Sequence, residues 1–220
     1  MDALNDRVLF IDAEALVLDK PAGLAVHAGP ATPSSLEDRL AELRFGFQRL
    51  PSPVHRLARD TSGCLLLARN PQAHKRFARA FEVGLVEKGY VAVLDGVPGA
   101  TGGEVSLPLA KVSTREAGWR MAPDAAGKEA VTQWRLLAVN ERRALVLFRP
   151  LTGRTHQIRV HAAVGLGLPI AGDRVYGGSA GPMLLHALTL KVPRERKPAI
   201  EVRAPLPSAF IAEGFADAAI

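Results

Sequence analysis

Short apolar segments separated by turn residues recur along nearly the whole chain, and this pattern constrains the fold more than any other feature. "GCLLLARN" and "KGYVAVLDG" are typical of buried strands, and "RVLFIDAEALVLDK" is typical of two strands around an acidic turn. "EAVTQWRLLAV" and "RRALVLFRP" predict a hairpin around Asn140 and Glu141, and "LLHALTLKVP" and "AIEVRAPLP" predict two more strands. Since helices do not alternate regularly with these strands, we expect an α+β fold with a largely antiparallel sheet.

Two other segments have the spacing of amphipathic helices. In "SSLEDRLAELRFGFQRL", Ser34 or Ser35 can cap a helix whose apolar face comprises Leu36, Leu40, Leu43 and Phe47. In "NPQAHKRFARAFEVG", Asn70 can cap the helix and Pro71 suits its first turn. The apolar residues of this second helix recur every four positions, at Ala73, Phe77 and Phe81. Both patterns predict helices that bury one face.

Composition limits the class of protein. Hydrophobic residues make up 48% of the 220 residues, which is enough to bury a core, and no low-complexity tract or long linker divides the chain. No apolar run approaches the ~18 residues of a membrane-spanning helix, and the acidic start of the chain does not resemble a secretory signal. The single cysteine, Cys64, lies in an apolar run and is expected to be a buried thiol. We therefore expect one domain over residues 1–220 in a monomeric, cytoplasmic protein.

Charge and motifs indicate the kind of partner and reaction. The formal net charge is +6, from 28 Lys and Arg against 22 Asp and Glu, which weakly favours a polyanion such as nucleic acid as partner. The sequence has no phosphate-binding loop, no dinucleotide fingerprint, no His-Glu-x-x-His and no cysteine pair. We therefore expect a reaction without metal or cofactor. Ser62 stands in Thr-Ser-Gly rather than in Gly-x-Ser-x-Gly, which disfavours a serine hydrolase.

The segment "LTGRTHQIRVH" concentrates polar residues after a Thr-Gly turn. If it is a strand, its side chains alternate between two faces: Arg154, His156, Ile158 and Val160 on one, and Thr155, Gln157, Arg159 and His161 on the other. Arg154 directly follows the turn and is placed to bind a carboxylate or a phosphate. The same pattern is also compatible with an edge strand that exposes ordinary surface polar residues.

A second polar segment, "HRLARDTSG", runs from His55 to Gly63 and has Ala58 at its centre. With this segment included, the chain resembles the RluA-type RNA pseudouridine synthases. The matching motifs cover nearly the whole chain, in the family's order: "DKPAGLAVH", "HRLARDTSGCLLLAR", "EKGYVAVLDG", "LTGRTHQIRVH", "LPIAGDRVYG", "LLHA" and "APLP". The resemblance implies a pseudouridine synthase fold, in which helices flank a curved, mainly antiparallel mixed sheet with a central basic cleft. It also implies structured rRNA or tRNA as the partner.

The resemblance further assigns roles to residues. Members of this family break the N1–C1′ bond of uridine, turn the base and join C5 to C1′. An aspartate acts at the anomeric carbon, an arginine keeps it ionised, and an aromatic ring supports the flipped base. By this resemblance Arg154 is the arginine, Tyr90 is the ring, and Arg56 enters the RNA where the uridine has left. RNA contacts are expected from the other polar residues of the two segments: His55, Arg59, Thr61, His156, Gln157 and Arg159.

Position 58 departs from the family's pattern, because the catalytic aspartate directly follows His-Arg-Leu and here that residue is Ala58. Asp60 matches a different family position. In an extended segment two residues shift a Cα by ~6.6 Å, whereas errors of about 1 Å already impair catalysis. Ala58 is an introduced substitution, the mark of a naturally inactive relative, or a change that Asp60 compensates as a substitute acid. We expect an inactive or weakened enzyme.

The sequence is compatible with a second function and disfavours a third. A non-catalytic RNA-binding protein or RNA chaperone on the same fold is the main alternative, since such a protein would keep the cleft and lose the reaction. A glycoside or nucleoside hydrolase is disfavoured, because the matching motifs lack the second carboxylate that such enzymes use.

Overall fold

The computed structural model describes residues 3–29, 32, 34–114 and 118–215. In chain order the strands are β1 (Val8–Ile11), β2 (Ala15–Lys20), β3 (Ser52–Pro53), β4 (Ser62–Ala68), β5 (Glu87–Leu94), β6 (Gly102–Ser106), β7 (Leu109–Thr114), β8 (Gly118–Pro123), β9 (Val131–Val139), β10 (Ala144–Pro150), β11 (Leu185–Val192) and β12 (Ile200–Arg203). The helices are α1 (Pro71–Glu82), α2 (Gln157–Val160) and α3 (Ser208–Ala212), with 3-10 helices at Leu4–Arg7 and Glu37–Leu43 and a π-helix at His161–Gly165. The protein is therefore an α+β protein with few helices, as the sequence predicts.

The chain divides into two compact units. Unit 1 comprises Met1–Lys88 and Ala187–Pro205, and unit 2 comprises Gly89–His186 and Leu206–Ile220. The single domain expected from the sequence stays a prediction.

Unit 1 is built on antiparallel strand pairs. β2 pairs with β1 on one side and with β4 on the other, β3 also pairs with β4, and β12 pairs with β11. The residues of β2 and β4 are all buried, which explains their continuous apolar runs. Helix α1 packs Ala73 and Phe77 into the same apolar cluster as Val17, Leu66 and Leu190. The segment from His55 to Thr61 lies between β3 and β4 along the chain.

Unit 2 also consists mainly of antiparallel strands. β10 pairs with β5 and with β9, and β9 continues the sheet to β6. β7 and β8 form a separate two-stranded ribbon. A buried cluster that includes Phe148, Ile158 and Leu185 packs α2 against these strands. β6 begins in a Gly-rich stretch, residues 99–103, and the sequence pattern predicts none of the strands β6 to β8.

Helix α1 and the β9–β10 hairpin confirm their predictions. The side chain of Asn70 accepts a hydrogen bond from the backbone N–H of Ala73 at 2.9 Å, which is the expected N-cap, and Pro71 is the first helical residue. β9 and β10 pair in antiparallel register from Ala144 opposite Val139 to Pro150 opposite Thr132. Local signals were sufficient here because capping residues and alternating apolar residues act within a few positions.

The helix predicted over "SSLEDRLAELRFGFQRL" is wrong in type and length. The structure has a 3-10 helix at Glu37–Leu43, and neither Ser34 nor Ser35 caps it. Instead, the backbone N–H and the hydroxyl of Ser35 both donate to the carboxylate of Asp38, at 2.7 and 3.1 Å. The following residues, Phe45 and Gly46, have φ of +46° and +78°, which ends the helical path, so Phe47 lies on the surface.

The strand considered for Arg154–His161 is also wrong, because this segment turns into α2. The backbone N–H of Gln157 donates to the carbonyl of Arg154 at 3.1 Å, and the Gln157 side chain accepts from the Arg154 N–H at 2.9 Å. His156 has φ of +54°, which no strand accommodates. The two alternating faces predicted for a strand therefore do not exist.

Gly63 is the glycine on which the packing of β4 depends. Its φ is +102°, and an added Cβ would overlap the backbone of Ala187. Gly63→Ala is expected to lower the free energy of unfolding by about 3 kcal/mol or more, through steric overlap and left-handed strain. Gly84→Ala is the matched control, since Gly84 has φ of +74° and open space around it, and it should cost about 1 kcal/mol. Urea unfolding measures both; equal losses would contradict the close approach.

Candidate functional site

The loop between β3 and β4 carries the first set of candidate residues, and His55 fixes its start. Nε2 of His55 accepts a hydrogen bond from the backbone N–H of Leu66 at 3.0 Å, so this nitrogen is unprotonated. The ring stacks on Phe81 with a centroid distance of 4.4 Å. Burial, and to a smaller extent the charge of Lys88, lower the pKa of His55 from 6.5 to about 3. His55 is therefore a neutral residue that joins the loop to β4 and α1.

Lys20, the last residue of β2, holds the middle of the loop. Its side chain is fully buried, and Nζ donates to the carbonyl oxygens of Pro21 at 2.8 Å, Leu24 at 2.8 Å and Arg59 at 3.0 Å. The carbonyl of Arg59 also accepts from the backbone N–H of Gly23 at 2.9 Å. Three acceptors match the three donors of an ammonium group. The backbone at Arg59 is thus held by β2 and the turn that follows it.

Sequence analysis assigned no role to Lys20. Burial lowers its pKa from 10.5 to about 7, and the negative charges of Asp60 and Asp19 act in the opposite direction. A lysine that ends an apolar strand and precedes Pro-Ala-Gly was the available signal. The pattern alone could not distinguish it from a lysine that reaches solvent.

The remaining residues of this loop differ in exposure. Ala58 is half-buried, and its carbonyl accepts from the backbone N–H of Thr61 at 3.1 Å, which closes a turn. Thr61 is buried, whereas Arg56 and Arg59 are exposed. Asp60 accepts from Nε of Arg59 at 3.1 Å, with both side chains about half exposed. Because such surface pairs are weak, neither charge is firmly held.

The second set of candidate residues lies in unit 2, where Arg154 occupies the turn between β10 and α2. Its backbone N–H donates to Gln157, and its Nε donates to the carbonyl oxygen of Glu129 at 2.8 Å. The residue is otherwise exposed on unit 2. The guanidinium group is therefore oriented by one backbone contact and remains accessible to solvent.

Gln157 is the centre of a buried polar network beneath this turn. Its Nε2 donates to the hydroxyl oxygen of Thr132 at 2.9 Å, and its Oε1 accepts from the hydroxyl of Thr152 at 2.8 Å. His161 places Nε2 3.2 Å from the carbonyl of Leu107 and Nδ1 2.8 Å from the Thr132 hydroxyl. A carbonyl only accepts, so Nε2 carries the proton and Nδ1 accepts from Thr132. Burial lowers the pKa of His161, which agrees with a neutral ring.

His156 and Arg159 contact other side chains of unit 2. Nδ1 of His156 lies 3.0 Å from the hydroxyl of Tyr176, and its ring stacks on Trp119 at 5.3 Å. Arg159 is buried and forms two hydrogen bonds of 2.6 Å to the carboxylate of Asp173. Its guanidinium also lies over the ring of Tyr176. These contacts favour a structural role for Arg159, since its charge is already paired.

Tyr90 lies in β5, directly opposite Phe148 of β10. The ring is half-buried and packs against the apolar cluster that includes Ile158 of α2. Within unit 2, Tyr90 and Ile158 of α2 thus pack into one cluster, and the turn with Arg154 directly precedes α2. Within unit 1, Lys20 holds the His55–Thr61 loop through the carbonyl of Arg59.

Two further findings concern the described residues only. They contain no group of three or more His, Cys, Asp and Glu side chains that could hold a metal ion. None of the helices within these ranges combines the length and apolar composition needed to cross a bilayer.

Known proteins resemble the chain over most of its length. The family model described as RNA pseudouridylate synthase matches residues 14–164. An uncharacterized RNA pseudouridine synthase of Zymomonas mobilis is 56% identical over 98% of this chain and 100% of that protein. Ribosomal large subunit pseudouridine synthase C of Buchnera aphidicola is 33% identical over 94% of this chain and 69% of that protein. The structure of human RNA pseudouridylate synthase domain containing 4 aligns with a TM-score of 0.81 and 26% identity, over 95% of this chain and 92% of that one.

The mainly antiparallel α+β architecture and these matches define an RNA-modifying isomerase. Within that class, the chain belongs to the RNA pseudouridine synthase family, and the fold is a pseudouridine synthase fold. RNA is accordingly the partner on which the family acts.

The neutral state of His55 predicts a pH dependence of stability. Between pH 6.5 and about 3 the unfolded chain binds a proton at His55 that the folded protein does not. This group therefore makes stability fall as pH drops below 6.5, by at most about 2 kcal/mol at pH 5, and has no effect above pH 7.5 or so. In urea unfolding at pH 7.5 and 5, His55→Gln should show a smaller stability difference between the two pH values than the parent. An equal difference would contradict the neutral assignment.

The role of Lys20 predicts a loss of stability on removal of its donors. Lys20→Met keeps an unbranched side chain but leaves three carbonyl oxygens without the ammonium, and it should lower the free energy of unfolding by about 2–4 kcal/mol. Lys75→Met, on the exposed face of α1, is the matched control and should change stability by less than about 0.5 kcal/mol. Chemical denaturation of both variants gives the comparison; similar values would argue against the assigned contacts.

Proposed function

We propose that this chain recognises a specific uridine in structured RNA but has little or no isomerase activity as it stands, because residue 58 is alanine. Ala58 carries the proposal, because by the resemblance it occupies the position of the family's nucleophilic aspartate. The loop around it is held by the hydrogen bonds of Lys20 to the carbonyl of Arg59 and of His55 to the N–H of Leu66. Large-subunit ribosomal RNA is the favoured substrate, since relatives from Buchnera aphidicola and Zymomonas mobilis are named ribosomal large subunit pseudouridine synthases C and D. Transfer RNA is the second candidate.

The proposed catalytic roles are those that the resemblance to the family implies, and each suits the chemistry of the reaction. A carboxylate at position 58 would attack C1′ of the uridine or remove a proton from its sugar. Arg154 would hold that carboxylate ionised, and Tyr90 would support the base after it leaves the helix stack. We propose that the His55–Thr61 loop and these two residues line one basic cleft in a single domain, and that Arg56 fills the position which the uridine leaves.

The contacts of the other candidate residues support two roles, direct RNA contact for some and positioning of the site for others. Arg56 and Arg59 are exposed in unit 1, which suits direct contacts to phosphate or base edges. His55, Gln157 and Arg159 already use their polar groups within their own units, which suits residues that position the site. Two further candidates for RNA contact are half-buried or buried: His156 and Thr61.

A non-catalytic RNA-binding protein or RNA chaperone is the second candidate function, and Ala58 is the observation that favours it. Such a protein would need the intact loop and the exposed arginines but no carboxylate at position 58. For either function we propose a monomeric protein in the cytoplasm, where ribosomal RNA is available as the target.

Restoring the acid tests the assignment of position 58. The chain with Ala58 should form pseudouridine at or near background, and Ala58→Asp should raise the rate by about a thousandfold or more with little change in RNA affinity. Asp60→Ala in the restored enzyme should lower the rate far less than loss of the acid at 58. Mass spectrometry of the modified RNA measures the product. Full activity of the chain with Ala58, abolished by Asp60→Ala, would show that Asp60 is the nucleophile.

The substrate can be identified in cells from which the gene is deleted. Because the chain with Ala58 is expected to be nearly inactive, deletion alone should leave the pseudouridine pattern of ribosomal and transfer RNA unchanged, and expression of Ala58→Asp in these cells should add one pseudouridine, which mass spectrometry locates. One pseudouridine missing after deletion would show that the chain with Ala58 is active. No added pseudouridine with Ala58→Asp, combined with RNA binding by the purified chain, would favour the non-catalytic function.

A further inference from the structure

A surface loop in unit 1 exposes two phenylalanine rings and two arginines. Residues 44–50, "RFGFQRL", form this loop, called here the aromatic loop, and every one of them is exposed. Phe45 is 45% and Phe47 39% exposed, although both belong to the segment that the sequence pattern assigned to a helix. Aromatic rings interleaved with arginines on a surface are typical of sites that bind single-stranded nucleic acid.

Phe45 occupies a backbone conformation that disfavours its side chain. Its φ is +46°, in the left-handed region, where a bulky residue is a rare and strained choice and glycine is the ordinary one. The ring gains little from burial in return, because nearly half of it is exposed. Neither the turn nor the core therefore explains why this residue is phenylalanine, and strain of this kind is often found where a side chain has a function.

A cavity of about 340 Å³ lies beside the aromatic loop. Its lining combines the end of the loop with β3, β4 and the start of α1: Arg49, Leu50, Ser52, Ala68, Arg69, Asn70, Pro71 and His74. Arg69 is buried and donates to the carbonyls of Asp12 and Arg44, at 2.9 and 3.2 Å. Its guanidinium lies 3.4 Å from the centroid of the Phe47 ring. The loop is thereby held against the cavity.

Arg49 is the charged group that is free to bind a ligand here. It is exposed, and within the described ranges no acidic side chain pairs with it. A planar guanidinium suits a phosphate, and a surface aromatic ring suits a nucleobase. The cavity volume is at the lower end of the ~300–1,000 Å³ of small-molecule sites, which fits one nucleotide better than a folded partner.

We propose that the aromatic loop and the adjoining cavity bind one unpaired nucleotide of the RNA, separate from the reacting uridine. Phe45 stacks on the base, and Arg49 binds its phosphate. β3 lines the cavity through Ser52 and leads directly into the His55–Thr61 loop, so the proposed nucleotide site and this loop are adjacent along the chain in unit 1. The proposal rests on the proposed function only in that RNA is the partner, and it does not depend on an acid at position 58.

The ring and the charge can be tested separately. The probe is a fluorescein-labelled oligouridylate, and its affinity for the full chain is measured by anisotropy at several salt concentrations. Phe45→Gly should raise Kd by about five- to a hundredfold, the range found for loss of one base–aromatic stack. Its melting temperature should be equal to or above that of the parent, because glycine relieves the strain. Phe45→Trp should retain the affinity.

Arg49→Ala should weaken binding and reduce the slope of log K against log[salt] by about 0.7, the value for one phosphate contact on a single strand. Arg196→Ala is the matched control, since Arg196 is exposed elsewhere in unit 1, and it should have a smaller effect on both quantities. A fully paired RNA duplex of the same length should be insensitive to Phe45→Gly, because its bases are already stacked.

Each outcome decides the proposal. Parent-like affinity of Phe45→Gly for the single strand, or equal losses in Arg49→Ala and Arg196→Ala, would overturn the nucleotide site while leaving the proposed function intact. No affinity of the parent chain for any RNA would overturn both. Failure of Ala58→Asp to restore activity, with the Phe45 and Arg49 effects present, would overturn only the catalytic assignment.

Discussion

The buried ammonium group of Lys20 organises the loop on which the candidate site depends. Removing a charge from water is costly, and the lowered pKa of Lys20 reflects that cost. The cost is offset only while the carbonyl oxygens of Pro21, Leu24 and Arg59 all lie within hydrogen-bonding distance of Nζ. This requirement selects one arrangement of the loop, and His55 fixes its start in the same way through the N–H of Leu66. The backbone around position 58 is therefore ordered by residues other than the one at position 58.

In unit 2, buried polar groups also fix a turn through hydrogen bonds that must all form together. The network of Gln157, Thr132 and His161 satisfies every polar atom described for it inside the unit, and such networks specify a single geometry because a partly satisfied one is costly. Arg159 and Asp173 form a buried charge pair with the same effect. Most polar side chains of "TGRTHQIRVH" are thus paired within unit 2, whereas Arg154 is exposed.

On the proposed function, alanine at position 58 would leave RNA binding intact and remove the isomerase reaction. The groups that would bind RNA in unit 1, such as the exposed Arg56 and Arg59, do not depend on a carboxylate at that position. The aromatic loop with Phe45 and Arg49 belongs to the same kind of surface, since stacking and phosphate contacts supply affinity without chemistry. On the proposed function, such a chain would bind RNA with the scaffold of the family and lack the carboxylate that would attack C1′.

The amino-acid sequence by itself determined most of the buried strands, helix α1 and the family, because apolar runs, capping residues and ordered motifs are local signals, but it did not predict β3 or β6 to β8. It predicted a longer helix through Phe47, which the left-handed residues Phe45 and Gly46 prevent. For the segment after Arg154 it left a strand open, whereas tertiary contacts of Gln157 with Thr132 and Val131, far away along the chain, stabilise a helix. The role of Lys20 was likewise decided only by tertiary structure. One of its acceptors is the carbonyl of Arg59, 39 residues away, and no local pattern reports a hydrogen bond that forms only when the chain folds back on itself.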